Sequence, residues 1–307
     1  MGTPRVIAVV GATATGKTDL GEALAGSLGG EVVCADSRQV FRELEIGTGK
    51  PAPAERGARP HHLFDALAFG QRPSAGWYAK AVGAVGGAIH ARGRTPVLVG
   101  GSGLWLRAAQ HGLSGEPPHD EQVRARIQAE LEAVGPEILH ERLARVDPVT
   151  ATRLSPRDRQ RITRALEVHE ASGQPLSWWH ERQGEPAVAG EWRVFELTFE
   201  PATLDERIGR RTRWMFESGL VEETQALVAA GHEAPLRALR AVGYDEVLEL
   251  LAGRLTRDDA ETRTNLRTRQ LAKRQRTWFR HQVEAVRVDG GSADAAGTLR
   301  EALRLLR

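Results

Sequence analysis

The chain has 307 residues, of which 41% are hydrophobic and 27% charged, an ordinary balance for a soluble globular protein of one large domain or two smaller ones. A single cysteine, Cys34, excludes an internal disulfide and a cysteine-rich zinc site and fits a reducing, cytoplasmic setting. Net charge is only +2, and no apolar run approaches the roughly 20 residues that span a bilayer.

Val6–Val10 reads as a buried strand that runs into Gly11-Ala12-Thr13-Ala14-Thr15-Gly16-Lys17-Thr18. This stretch matches the phosphate-loop pattern G-x-x-x-x-G-K-[ST] in full, and Asp19–Ala25 follows with helical character. The apolar run is five residues long and leads straight into the loop, so it is not expected to be a signal peptide. Glycines let backbone N–H groups turn inward, and the helix N-terminus adds its positive dipole end. Lys17 can reach outer phosphates, and the Thr18 hydroxyl can ligate Mg²⁺. A second strand, 31–35, ends at Asp36. A helix over 75–91 then leads to a third strand at 96–99 and the turn Gly101-Ser102-Gly103. Strand, helix, strand at this spacing predicts a parallel sheet with covering helices. The phosphate loop, Asp36 and the glycine turn all follow strand ends, where ligands collect on such sheets.

After Gly115-Glu116-Pro117-Pro118 the pattern turns helical. Val123, Ile127, Leu131 and Val134 mark one apolar face, stopped by Gly135-Pro136. Strand character returns at 193–199, and the remainder reads as mainly helical, ending in 293–307. The predicted organisation is an α/β core at 1–115 and 191–307 with an all-helical module at 116–190 inserted into it.

Asp36 admits two readings: a cap for free backbone N–H groups, or a carboxylate facing the phosphate loop as general base or outer partner of Mg²⁺. The third strand carries no Walker-B aspartate, and its glycine-rich turn with one hydroxyl suits close approach of a ligand. His61-His62 are adjacent, point apart in a strand and suit packing or polar contacts better than metal ligation. Arg263, Arg267, Arg269, Lys273, Arg274, Arg276 and Arg280 lie in a stretch with no acidic residue. At about 100° per residue, Arg269, Lys273, Arg276 and Arg280 form one stripe, with Leu271, Ala272, Trp278 and Phe279 opposite. A one-signed stripe interspersed with Thr264, Asn265, Thr268, Gln270, Gln275 and Thr277 predicts contact with nucleic-acid phosphates. Gln160-Arg161-Ile162-Thr163-Arg164 is a weaker instance, diluted by Asp158 and Glu167.

Taken together, these stretches resemble the tRNA dimethylallyltransferase (isopentenyltransferase) family of bacterial type. The resemblance rests on residues 11–18, Asp-Ser-Arg-Gln-Val-Phe at 36–41, Ile-Gly-Thr-Gly-Lys-Pro at 46–51 and His-His-Leu at 61–63. It continues through Val-Gly-Gly-Ser-Gly-Leu-Trp-Leu at 99–106, Arg-Ala-Leu-Glu-Val at 164–168 and Ala-Val-Gly-Tyr at 241–244. Thr-Arg-Gln-Leu-Ala-Lys-Arg-Gln-Arg-Thr-Trp-Phe-Arg at 268–280 completes it and is the most specific of these motifs. The resemblance implies a P-loop, nucleotide-kinase-like core and transfer of a dimethylallyl group from dimethylallyl diphosphate to N6 of the adenosine 3′ of a tRNA anticodon. It implies that residues 11–18 cradle the diphosphate, that Lys17 and Arg211 neutralise it, that Thr18 orders Mg²⁺ and that Asp36 accepts the N6 proton. It also implies tRNA contacts from Asp36, Ser37, Arg38, Gln39, Ser102, Arg124, Gln160–Arg164, Arg240, Gly243 and Tyr244, and from Lys273, Arg274, Arg276 and Arg280. Phe41, Gly49, Ser102 and Trp105 depart mildly from the usual Tyr, Ala, Thr and Tyr. A monomer acting on the anticodon stem-loop, away from membranes, is expected. The alternative is an ATP-dependent small-molecule or nucleotide kinase using the same loop. A non-catalytic RNA-binding protein is a third reading, disfavoured by the complete loop and Asp36.

Overall fold

The computed structural model describes residues 4–57, 59–113, 120–182, 184–291 and 294–306. They fall into two compact units, 1–110 with 187–307, and 111–186. The predicted boundary at 116 lies outside the described residues. In the first unit, β1 (Arg5–Gly11), β2 (Glu31–Cys34), β3 (His61–His62), β4 (Pro96–Gly100), β5 (Glu191–Thr198) and β6 (Val286–Asp289) form one sheet. Its order is β3-β2-β4-β1-β5-β6, and every pairing is parallel. All strand carboxyl ends therefore share one edge, which is where the loops after β1, β2 and β4 emerge. Both faces are covered, so the central strands are apolar throughout rather than alternating. Val6, Ala8 and Val10 of β1 pack into one cluster, and Ile7 and Val9 into the other.

Three helices frame that edge. α1 (Lys17–Leu28) begins directly at the phosphate loop and buries Leu20 and Leu24. α2 (Ala75–Ala91) coincides with the predicted helix; the Ser74 side chain caps it by accepting from Trp77 N–H. α3 (Gly103–His111) starts from the glycine turn, and its Trp105 stacks on Tyr78 of α2 at 4.3 Å between ring centroids.

The second unit is helical among its described residues. α4 (Glu121–Val146) is capped by Asp120 and broken at Gly135, whose φ of 81° and ψ of 167° are not helical. The expected stop is therefore a kink: Pro136 occupies a first-turn position, where its missing N–H costs nothing, and the helix resumes. Val134 was expected on the buried face but is 46% exposed. The stripe 123, 127, 131 advances by four, and its next position is the break itself. Ile127, Leu131, Leu139 and Leu143 pack on α5 (Pro148–Arg153) and α6 (Arg159–Ser172) through Ala151, Ile162, Ala165 and Leu166. The short α7 (Leu176–His180) closes the unit.

The first unit continues with α8 (Pro201–Glu217), α9 (Leu220–Ala229), α10 (Glu233–Leu239) and α11 (Tyr244–Leu251). α12 (Arg257–Gln282) follows, started by a capping box between Thr256 and Asp259. α13 (Ala295–Arg304) packs Ala302 against the β1 face that holds Ile7 and Val9. β6 is absent from the sequence reading: it is four residues long and buries only Val288, too little alternation to register. Leu204 and Ile208 of α8 and Ala272 of α12 close over Ala12 and Ala14, so two helices support the phosphate loop from behind.

Candidate active site

The loop after β1 reverses tightly. Gly16 has φ 83°, and Ala14 sits in the left-handed region at φ 65°, where a residue with a Cβ needs support. Arg207 of α8 supplies some of it by donating from Nε to Ala14 O at 2.8 Å. The Ala12 carbonyl accepts from both Thr15 Oγ1 (2.9 Å) and Lys17 Nζ (3.2 Å). A cleft of about 560 Å³ opens in front, lined by residues 16–19, by 49–51 and by Arg207, Arg210, Arg211 and Trp214. Arg211 donates from Nη2 to Thr48 O at 2.9 Å. Its guanidinium occupies the space where a Cβ on Gly49 would go, and Gly49 has φ 57°. Gln39 holds the same segment by donating to Thr48 O and Gly49 O, both at 3.2 Å. Lys50 is buried and donates to Phe41 O and Asp65 at 2.9 and 2.5 Å, so it fastens the loop rather than offering a free charge.

Desolvation in the cleft pulls the Lys17 ammonium down from 10.5 to about 8, against an opposing pull from Asp36 and with a further push from Arg211. Arg211 is lowered by burial and raised by Asp36. The Asp36 carboxylate thus acts on both cations. One of its oxygens accepts from Arg38 N–H at 2.9 Å, which shapes the turn after β2. Its second oxygen has no hydrogen-bond partner among the described residues. Ser37 N–H donates to Ser102 Oγ at 2.9 Å, joining this turn to the one after β4. A second cleft of about 510 Å³ lies beyond, lined by Ser37, Arg38, residues 101–105, Arg274, Gln275 and Trp278. Asp36 therefore belongs to a turn that walls one cleft while its charge reaches the cations of the other.

The family model described as IPP transferase matches residues 39–282. The chain belongs to the IPP transferase family. A further model, described as isopentenyl transferase, matches residues 4–64. The tRNA dimethylallyltransferase of Halorhodospira halophila is 46% identical over 289 residues, covering 93% of each chain. The full-length tRNA isopentenylpyrophosphate transferase of Bacillus halodurans is 33% identical with a TM-score of 0.68, covering 98% of this chain and 99% of that one. A eukaryotic dimethylallyltransferase acting on tRNA superposes with a TM-score of 0.80 at 25% identity, covering 99% of this chain and 77% of its own. Membership of the IPP transferase family favours prenyl transfer over the kinase alternative.

Within this family member, Lys17, Thr18, Asp36 and Arg211 gather at one carboxyl edge, with Ser102 bridged to the Asp36 turn. Lys273, Arg274 and Arg280 of α12 are exposed and Arg276 is half-buried; none of the four makes an ion pair among the described residues. Several expectations need correction. Ile162 is fully buried in the core of the helical module, which leaves only its backbone to meet a ligand. Thr163 is 6% exposed and spends its hydroxyl on Arg159 O and Gln160 O. Tyr244 is also buried, with its hydroxyl donating to Glu223, and Gly243 beside it is buried too. Arg38 donates to Leu239 O at 2.6 Å and is partly committed to the fold. Arg240 takes a left-handed conformation at φ 49° as it ends α10. In the module, Arg124, Arg161 and Arg164 pair with Glu167, Asp158 and Glu167 at 3.8, 2.6 and 3.5 Å, while Gln160 is exposed. The glycine turn is also where α12 docks. A Cβ on Gly101 or Gly103 would strike Gln275 or Trp278, so both are glycines because α12 docks there. His61 and His62 make polar contacts with Glu22 and Glu31. Arg207, Lys50 and Gln275 were missed, because only their tertiary partners distinguish them.

Proposed function

We propose that this chain transfers the dimethylallyl group of dimethylallyl diphosphate to N6 of the adenosine 3′ of the anticodon in tRNA. The observation that carries the proposal is Asp36, set between a phosphate-loop cleft rich in cations and a second cleft walled by the basic helix α12. The diphosphate lies along residues 11–18, its charge met by loop N–H groups, Lys17 and Arg211. The adenine, turned out of the stack, enters from the α12 side beside Ser37 and Ser102. As the allylic C–O bond breaks, the electron pair leaves with the diphosphate. The N6 nitrogen forms the new C–N bond, and Asp36 takes the N6 proton. Neutralising the leaving group carries much of the barrier reduction, because an allylic cation forms readily once its diphosphate can depart. Lys273, Arg274, Arg276 and Arg280 grip the flanking phosphates.

The described residues hold no group of three His, Cys, Asp or Glu that could cage a metal. Mg²⁺ suits such a site, since it keeps its waters and binds through one protein oxygen and substrate phosphates. The Thr18 hydroxyl, at the loop end of the cleft, would be that oxygen. The ion would supply further charge neutralisation of the diphosphate.

Labelled dimethylallyl diphosphate and unmodified tRNA, incubated with the protein and Mg²⁺ but no ATP, test the proposal. Label appearing in tRNA supports it. Absence of label, or transfer from labelled ATP instead, would overturn it.

A further inference from the structure

Gln275 projects from α12 toward the phosphate loop and the turn after β4. Its Oε1 accepts from Thr13 N–H of the phosphate loop at 2.9 Å. Its Nε2 donates to Gly101 O of the turn after β4 at 3.1 Å. Ala272, one turn earlier, packs in the same cluster as Ala12 and Ala14. Lys273 and Arg274 beside it are exposed and make no ion pair among the described residues, and Arg274 also lines the second cleft. One helical turn thus carries exposed cations together with a clamp on the phosphate loop.

We propose that Gln275 is a positioning residue that sets the phosphate loop for the allylic diphosphate and couples it to the tRNA-binding helix. The proposal rests on the function given above. The amide is suited to this place because it presents an acceptor to an N–H and a donor to a carbonyl from one planar group. Glutamate would keep the acceptor but set a carboxylate oxygen against Gly101 O. Leucine fills similar space and leaves both partners unpaired. Asparagine is one methylene too short to span them. Phosphates drawing α12 into place hold Gln275 against Thr13. By linkage, a diphosphate in the loop must then favour the same helix position, with the same factor in both directions.

The test measures the affinity of inorganic pyrophosphate with and without saturating tRNA, and the single-turnover transfer rate, in wild type, Gln275→Leu and Gln275→Glu. In wild type, tRNA should tighten pyrophosphate about fivefold or more, within the usual range of such couplings. Gln275→Leu should bring that ratio to about one. It should also slow transfer at saturation about tenfold, as expected when a partly buried N–H of the phosphate loop loses its partner. Its tRNA affinity should stay within about twofold of wild type. Gln275→Glu should fall between the two and decides the matter if the leucine variant does not fold. A wild-type ratio of one overturns the coupling. A variant with wild-type ratio and rate overturns the positioning role. So does a variant that loses tRNA and pyrophosphate in proportion, which is the mark of a merely structural residue. Persistence of the coupling in a protein that transfers no label to tRNA would sink the functional reading but leave the Gln275 clamp standing.

Discussion

The inserted module and the last third of α12 are both rich in arginine, yet their cations keep different company. In the module, Arg157 faces Glu137 at 3.3 Å, Arg159 faces Glu132 at 2.5 Å and Arg161 faces Asp158 at 2.6 Å. Arg126 and Arg142 share Glu170. On α12, Arg267 and Arg269 are paired with Asp245 and Asp205 at 2.9 and 3.7 Å, but Lys273, Arg274, Arg276 and Arg280 have no ion-pair partner among the described residues. A paired arginine already has its counter-charge, and a phosphate must displace a carboxylate to reach it. An unpaired one holds only mobile counterions, whose release gives salt-dependent affinity. Local arginine count therefore overstates the free positive charge of the module more than that of α12.

The largest effect should come from replacing Lys273, Arg276 and Arg280 together with glutamine. Binding of tRNA should weaken about 10- to 100-fold at moderate salt, and the slope of log affinity against log salt should drop by roughly two to three. Salt titration of tRNA binding checks this, and an unchanged slope would break the comparison. Next in size is a pH effect that separates these surface cations from Lys17. The charged Lys17 ammonium is the form that attracts diphosphate, and it is fully present only below about 8. Raising pH from 7 to 9 should lower kcat/KM for dimethylallyl diphosphate, by up to about tenfold per unit above that value. Affinity for tRNA, held mainly by arginines that do not titrate, should stay flat over the same interval. If tRNA affinity falls with kcat/KM, the division of labour fails. Bound diphosphate favours the ammonium, so the kcat profile should decline at higher pH than kcat/KM. A smaller change is expected from Arg157, Arg159 and Arg161 replaced together with glutamine: affinity within about threefold and a slope shift below about one. Smallest of all, Glu132→Gln should free Arg159 and tighten tRNA up to about twofold at low salt, with no gain at high salt. Loss of affinity in that variant would mean that the ion pair itself presents the module to tRNA.

Much of this was legible in the chain. The phosphate loop declares itself because its glycines and lysine must fall at fixed spacing, and α2 because a 17-residue stretch of helical character fills the space between two strands, in spite of its glycines. Asp36 was legible because a carboxylate ended a buried strand. What stayed hidden depends on residues far apart in sequence. Gln275 looked like a polar spacer in a basic helix, since its partners lie 262 and 174 positions away. Ile162 and Thr163 were swept up with Arg161 and Arg164, although helical periodicity turns them inward. Tyr244 sits in a family motif, which marks importance without saying whether the side chain meets a ligand or the core. Gly101 and Gly103 were legible as a place of close approach, but their packing against Gln275 and Trp278 of α12 was not.

The central claim is that Asp36, lying between the two clefts, takes the proton as the prenyl group moves. Its most direct test is single-turnover transfer by Asp36→Asn with tRNA and dimethylallyl diphosphate both saturating, with tRNA affinity measured on the same sample. The rate should fall about 100-fold or more, the range for loss of a general base, while tRNA affinity stays within about twofold. A rate within about threefold of wild type would contradict the account.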